Sequence, residues 1–206
     1  MRNASTFWDS WAQRYAKKPI ADQAAYEEKL KQTQKYFEKS TRVLEFGCGT
    51  GSTALIHASF VEHIRCIDFS ENMIAIAQQK ADLQAIKNVS FEVNTLESLE
   101  AEPESFDVIL GLSVLHLLED WQTAIGQVYQ LLKPGGVFVS STPCLSHVGW
   151  LKYVAAVFQP LGLMPQLTFF TQSELSASME QHGFNINHAW QPTQKSAVFM
   201  IVQKPK

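Results

Sequence analysis

The chain has 206 residues, of which 46% are hydrophobic and 18% charged, and its formal net charge is −3. This length suits one globular domain with a sizeable core, and a mildly acidic chain without a basic stripe is not expected to bind nucleic acid. It contains no apolar run long enough to span a bilayer, no recognisable signal peptide and no disulfide or zinc spacing among its three cysteines, so we expect a cytoplasmic protein.

Two helices are predicted before the first strand. The aromatic residues Phe7, Trp8, Trp11 and Tyr15 recur at helical spacing and share one face. Residues 21–39 predict a second helix, which is rich in charge. The aromatic face of the first helix suits packing against the rest of the molecule.

From residue 42 onwards the chain alternates between short apolar strands and helices. We predict strands at 42–46, 64–68, 89–93, 106–110 and 137–140, and helices at 53–60, 70–83 and 120–132. Such alternation predicts right-handed crossovers and a parallel sheet with helices on both faces.

The C-terminal part departs from this alternation. Residues 143–170 are apolar, contain three prolines and are predicted to be irregular. A capped helix is predicted at 171–182. Two strands follow at 184–190 and 197–202, and the short loop between them makes them antiparallel neighbours. One strand of the sheet should therefore run in reverse.

The turn after the first strand, residues 45–51, reads Glu-Phe-Gly-Cys-Gly-Thr-Gly. Its glycines permit positive φ angles and a close approach of the backbone to a ligand, and the next helix begins where an anionic group is favoured. A dinucleotide fingerprint would need glycine at position 52, which is Ser52, so the spacing argues against a nicotinamide oxidoreductase. Asp68, at the tip of the second strand, can accept hydrogen bonds from ribose hydroxyls or can serve as a helix-capping acid.

Taken together, these motifs resemble those of a class I methyltransferase that depends on S-adenosyl-L-methionine (SAM). Residues 43–51 resemble the family's first motif, Asp68 its ribose-binding acid, residues 105–108 its fourth-strand motif and residues 131–136 its turn into the fifth strand. The resemblance implies SAM as the cofactor. It also implies an α/β fold with a Rossmann-like, doubly wound, seven-stranded sheet, mostly parallel with one reversed strand, and helices on both faces.

The resemblance further implies contacts to the amino-acid end of SAM. The residues at this end are Glu45, Gly47, Cys48, Gly49, Leu112 and Ser113. The glycines would lie against the cofactor and Glu45 would steady the turn, while Leu112 would lie under the methionine moiety. Residues 1–40 resemble a helical lid over a SAM-binding domain of residues 41–206, and Tyr15 is the lid residue expected to reach the SAM carboxylate.

At the adenine end, Phe69 and Met73 match positions that wall the ring. Relatives often carry an acid after the third strand, and this sequence has Thr95 there, preceded by Asn94. A threonine hydroxyl accepts a hydrogen bond more weakly than a carboxylate does. The backbone N–H of Leu96 is expected to supply a second adenine contact.

The sequence does not identify a catalytic residue or the methyl acceptor. Methyl transfer is an in-line displacement that mainly needs alignment in a dry site, so no catalytic side chain is assigned. His116 is the candidate for a general base, although a histidine there more often packs or faces solvent. Cys144 and His147 lie near the expected cleft and receive no role.

Residues 143–170 are expected to form an apolar cap insertion. In the family such an insertion shapes the acceptor pocket, which favours a small hydrophobic acceptor such as a quinone, a lipid or an aromatic metabolite. The same surface equally suits a role in covering the core or in binding a second copy as a homodimer. We predict a small-molecule methyltransferase, with a catalytically silent SAM-binding or partner protein of the same fold as the alternative.

Overall fold

Two helices begin the computed structural model, which describes residues 4–193 and 196–206 except for the side chains of Ala4 and His147. They are α1 (Ala4–Lys17) and α2 (Gln23–Gln34). The side chain of Asp22 accepts a hydrogen bond from Ala25 N and so caps α2. Both helices occur where the sequence predicts them, but α2 ends at Gln34 rather than continuing to residue 39.

Seven strands form a single sheet. They are β1 (Arg42–Phe46), β2 (His63–Asp68), β3 (Val89–Val93), β4 (Phe106–Leu112), β5 (Leu132–Thr142), β6 (Asn185–Trp190) and β7 (Val198–Gln203). Their order in the sheet is β3-β2-β1-β4-β5-β7-β6. Strand β7 runs antiparallel to β5 and β6, and the pairs among the other strands are parallel. The predicted fold class, a mostly parallel Rossmann-like sheet with one reversed strand, is confirmed.

Helices cover both faces of this sheet. Those that follow β1 are α3 (Ser52–His57), α4 (Glu71–Leu83), α5 (Trp121–Leu131), α6 (Gly149–Phe158) and α7 (Gln172–Gln181). Consecutive residues of β1 belong to different cores because strand side chains alternate between faces. Leu44 packs in the core with Ile125 of α5, whereas Val43 packs in the core with Ala54 of α3.

Polar caps fix where two of these helices begin. The Ser70 side chain accepts a hydrogen bond from Met73 N at the start of α4. At the start of α7, Thr171 and Glu174 form a reciprocal capping box. Both starts agree with the sequence prediction, because a capping residue followed by an apolar helical face is a strong local signal.

Two predictions in the C-terminal half are wrong. Residues 143–170 are not irregular throughout, because the proline-free stretch Gly149–Phe158 forms the ten-residue helix α6. The prolines that suggested an irregular segment, Pro143, Pro160 and Pro165, all lie outside this helix. Strand β5 begins at Leu132, directly after α5, rather than at Val137, because Leu132 already pairs with Phe106 and a register shift follows.

Helix α6 leaves much of its apolar surface uncovered. Trp150 is 66% exposed and Tyr153 is 79% exposed, whereas Ala155 is buried. A role in covering the core is therefore limited to one side of the helix. In the described ranges, no helix is both long and apolar enough to cross a bilayer.

Candidate functional site

The carboxyl ends of β1, β2, β4 and β5 meet at one edge of the sheet, and the glycine turn lies there. Gly47 has φ +63°, and a Cβ atom added to it would lie 2.5 Å from Val114 Cγ2. Any larger residue would be strained both by the left-handed backbone and by this contact. Cys48 N donates to Ile67 O at 3.1 Å, which ties the turn to β2.

Asp68 joins the glycine turn to the start of α4. Its Oδ2 accepts a hydrogen bond from Gly49 N at 2.8 Å, and its Oδ1 accepts one from Ser70 N at 2.9 Å. Burial raises the pKa of Asp68, while these two backbone donors lower it. Each carboxylate oxygen keeps a second acceptor site. Asp68 therefore organises the turn and can still accept hydrogen bonds from a ligand.

Glu45 is a buried acid with an unused oxygen. It is only 3% exposed, and its Oε2 has no hydrogen-bond partner among the described residues. Burial, and then the negative charge of Asp68, raise the pKa of Glu45 to about 8. An unpaired buried carboxyl oxygen is costly unless a donor reaches it. A cationic group with N–H donors would supply both the hydrogen bond and the opposite charge.

A cleft of about 940 Å³ opens beside the turn. The lining residues used below are Tyr15, Tyr26, Lys29, Glu45, Gly47, Cys48, Leu112, Ser113, Ser141 and Phe199. Six residues predicted to contact the cofactor thus come together in one cleft: Tyr15, Glu45, Gly47, Cys48, Leu112 and Ser113. None of the described residues within 143–170 lines this cleft. The cleft therefore gives no support to the expectation that this segment shapes an acceptor pocket.

Helix α1 is held against the site by an acid that the sequence analysis missed. Asp9 Oδ1 accepts hydrogen bonds from Ser70 Oγ at 2.6 Å and from Asn72 N at 3.1 Å. Tyr15 lies six residues after Asp9 in α1, and it is 45% exposed overall. Burial of its ring, followed by the charges of Asp68 and Glu45, raises its pKa. No local signal marks Asp9, since its partners lie more than 60 residues away.

The predicted adenine contacts lie away from this cleft, beside β2 and β3. Met73 and Leu96 have buried side chains and Phe69 is partly buried. Thr95 is exposed, and its Oγ1 is hydrogen-bonded to Ser98 Oγ at 2.8 Å. Asn94 Oδ1 accepts from Thr95 N at 2.9 Å. The turn after β3 therefore pairs its own polar groups.

The end of β4 carries a strained residue. Ser113 has φ +59°, an uncommon value for a residue with a side chain. Its backbone N donates to Ser141 O at 2.7 Å, which holds the strained position against β5. Ser113 lines the cleft, as does Leu112 before it. Such strain is often retained where a binding surface needs a particular backbone path.

His116, the candidate base, does not line the cleft. Burial lowers its pKa to about 4, and its Nδ1 has no partner in the part of the chain that the structure describes. A base of this pKa accepts protons weakly near neutral pH. Burial also raises the pKa of Cys144 to about 11, so its thiol stays protonated. The His147 side chain lies outside the described residues.

Comparisons with known proteins agree on one family. A family model described as a methyltransferase domain matches residues 37–204. A demethylmenaquinone methyltransferase of Leptospira interrogans is 34% identical over 130 residues, which cover 61% of this chain and 52% of that protein. A malonyl-[acyl-carrier protein] O-methyltransferase of Bacillus cereus is 40% identical over 105 residues, or 50% and 38% of the two chains. The chain thus spans about half or less of the length of these relatives.

A solved structure supports the fold over the whole chain. The phosphoethanolamine N-methyltransferase 2 of Haemonchus contortus, in complex with phosphomonomethylethanolamine and S-adenosylhomocysteine, superposes with a TM-score of 0.79 at 16% identity. The match covers 100% of this chain and 61% of that one. At this identity the likeness concerns the fold.

Proposed function

This chain belongs to the methyltransferase domain family, and from that premise we propose that it transfers a methyl group from SAM to a small-molecule acceptor. One observation carries the proposal. The glycine turn, the Asp68 carboxylate that organises it and the unpaired oxygen of Glu45 lie together at the edge of the sheet, with a cleft beside them.

The residues at this edge fit SAM chemically. The α-ammonium group of SAM would satisfy the unused Oε2 of Glu45, and the glycines leave room for a backbone approach. Asp68 retains acceptor sites for ribose hydroxyls. The proposed cofactor-binding set is Tyr15, Glu45, Gly47, Cys48, Gly49, Asp68, Phe69, Met73, Thr95, Leu96 and Leu112.

We propose that α1 and α2, within residues 1–40, act as a lid on the domain of residues 41–206. Asp9 fastens α1 to the start of α4. Tyr26 of α2 is hydrogen-bonded to Thr53 at 3.1 Å between Oη and Oγ1, and both helices contribute to the cleft lining. A covered cleft excludes water, which favours displacement chemistry.

When bound, SAM would supply a methyl group on a sulfonium, from which the neutral thioether of S-adenosylhomocysteine is a good leaving group. The chain's own contribution is to bind, orient and keep the site dry. His116 is not proposed as a base, because it lies outside the cleft lining and its pKa is lowered to about 4.

A small and hydrophobic acceptor is supported by the cleft and by the net charge. Ile20 and Leu30 give the lining apolar surface, and the net charge of −3 does not favour a nucleic acid. The relatives are named for acting on demethylmenaquinone and on malonyl-acyl carrier protein. A quinol, a lipid or an aromatic acid is the class of acceptor we propose.

The test is turnover with methyl-labelled SAM and a panel of hydroquinones, aromatic acids and fatty acids, followed by mass spectrometry of product and S-adenosylhomocysteine (SAH). We expect labelled product from at least one class, and none from a Gly47→Ala variant. Tight SAM binding without turnover on the whole panel would favour the catalytically silent alternative. Absence of binding at millimolar SAM would contradict both.

A further inference from the structure

The part of the cleft beside the end of β5 holds the ammonium group of Lys29. Lys29 projects from α2, and its Nζ donates a hydrogen bond to Ser141 Oγ at 2.9 Å. The same Nζ lies 6.0 Å from the centre of the Phe199 ring. Lys29, Ser141 and Phe199 all line the cleft.

Among the described residues, the ammonium group of Lys29 has no carboxylate within ion-pair distance. Three ion pairs occur in the ranges 4–193 and 196–206, and Lys29 belongs to none of them. An ammonium group has three donors, and a single hydrogen bond from Lys29 is present among the described residues. Burial lowers the pKa of Lys29, against a smaller opposing effect of Asp22. The half-buried ammonium group therefore has donors that meet no described protein acceptor and that a ligand in the cleft can reach.

Lys29 also lies at a distance from the acids of the cofactor site. The strand order β1-β4-β5 separates Glu45, at the end of β1, from Ser141, at the end of β5, by two strand spacings or about 10 Å. The glycine turn follows β1, so the part of the cleft beside Ser141 and Phe199 adjoins the proposed cofactor position without being part of it.

We propose that Lys29 binds an anionic oxygen of the methyl acceptor, such as a carboxylate or phenolate on an otherwise apolar molecule. The inference rests on the proposed function and narrows it to acidic acceptors. Lys29 is then a specificity-determining residue: its ammonium group attracts the anion, and Ser141 orients the ammonium group. The cationic group is present before the acceptor arrives and gives a charged acceptor an advantage over a neutral analogue of the same shape.

The test compares 4-hydroxybenzoate with its neutral amide by calorimetry on protein saturated with SAH. The wild type is expected to bind the carboxylate at least tenfold more tightly than the amide. Lys29→Met removes the charge but keeps most of the stem, and it should abolish this preference. Lys29→Arg should retain it. Lys31→Met removes the same charge from the exposed part of α2 and should leave the preference unchanged.

Four outcomes would count against this proposal or against the proposed function. Equal binding of the two probes by the wild type overturns it, and so does an unchanged preference in Lys29→Met. A tenfold weaker SAH affinity in Lys29→Met would assign Lys29 to the cofactor carboxylate and also overturn it. Failure of the wild type to bind SAH at all would count against the proposed function itself. Thermal melting of each variant checks that the fold is retained.

Discussion

The turns after β1 and β3 lie at the same edge of the sheet but differ in how far their polar groups are already hydrogen-bonded. At the turn after β1, Glu45 Oε2 has no partner among the residues that the structure describes, and the glycine backbone lies beside the cleft. The turn after β3 pairs Asn94, Thr95 and Ser98 with one another. A ligand gains a new hydrogen bond at the first turn, whereas at the second it must compete with bonds already made.

This difference predicts which turn contributes more to the binding free energy of SAM. A hydrogen bond to a buried, unpaired group removes the penalty of its desolvation, which is about 1–3 kcal/mol for a polar group and more for a charged one. Replacing one exposed hydrogen bond by another contributes little. We therefore expect the amino-acid and ribose ends of SAM to dominate affinity and the side chain of Thr95 to contribute weakly.

The largest expected effect comes from breaking the β1 turn. Gly47→Ala places a Cβ on a backbone with φ +63° and against Val114, which should cost about 3 kcal/mol of unfolding free energy and reduce SAH binding below detection. Urea unfolding and calorimetry measure the two effects. Gly149→Ala is the control, because its added Cβ meets nothing within 4 Å. Wild-type affinity in Gly47→Ala would show that SAM does not use this turn.

Removing the acid that organises the turn is the next largest change. Asp68→Ala deletes the acceptor of Gly49 N and Ser70 N as well as the proposed ribose contact. We expect a loss of roughly 1.5–3 kcal/mol in SAM affinity by calorimetry. Asp82→Ala, on the exposed side of α4, controls for charge. An affinity equal to that of the wild type would mean that the ribose is held elsewhere.

The buried acid makes stability depend on pH. Because the folded state raises the pKa of Glu45 to about 8, the stability that its protonated form contributes is present below the usual pKa of about 4.5 and is lost as pH rises through 8. Glu45→Gln mimics the protonated form and should be the more stable protein. The difference in unfolding free energy between Glu45→Gln and the wild type should grow by at least about 1.4 kcal/mol from pH 5 to pH 9, the equivalent of one pKa unit. Urea unfolding at both values measures it, and a gap that does not change with pH would contradict the assignment.

The smallest effect is expected in the β3 turn. Thr95→Val keeps the shape and removes the hydroxyl that is bound to Ser98. SAH affinity should change by less than about 0.5 kcal/mol, since the hydroxyl already has a partner. A tenfold loss of SAH affinity in calorimetry would show that the turn after β3 also contributes to binding, and it would support Thr95 as an adenine ligand.

Local signals explain which features the sequence could predict. The strand before the turn, the glycine spacing and the cap at Ser70 depend on neighbouring residues, and they occur as predicted. Lys29 and Asp9 escaped notice because their partners are distant in sequence and become neighbours only when the sheet forms. Helix α6 was missed because the three prolines of residues 143–170 made the whole segment read as irregular, although Gly149–Phe158 contains none of them.

The most direct test of the central claim compares SAH with 5′-methylthioadenosine, which keeps the adenosine part and lacks the amino-acid end. Calorimetry on the wild-type chain measures both affinities under the same conditions. If the turn after β1 supplies most of the binding free energy, methylthioadenosine should bind at least 100-fold more weakly, a difference of about 2.7 kcal/mol. Equal affinities would place the binding free energy at the adenosine end and contradict the account.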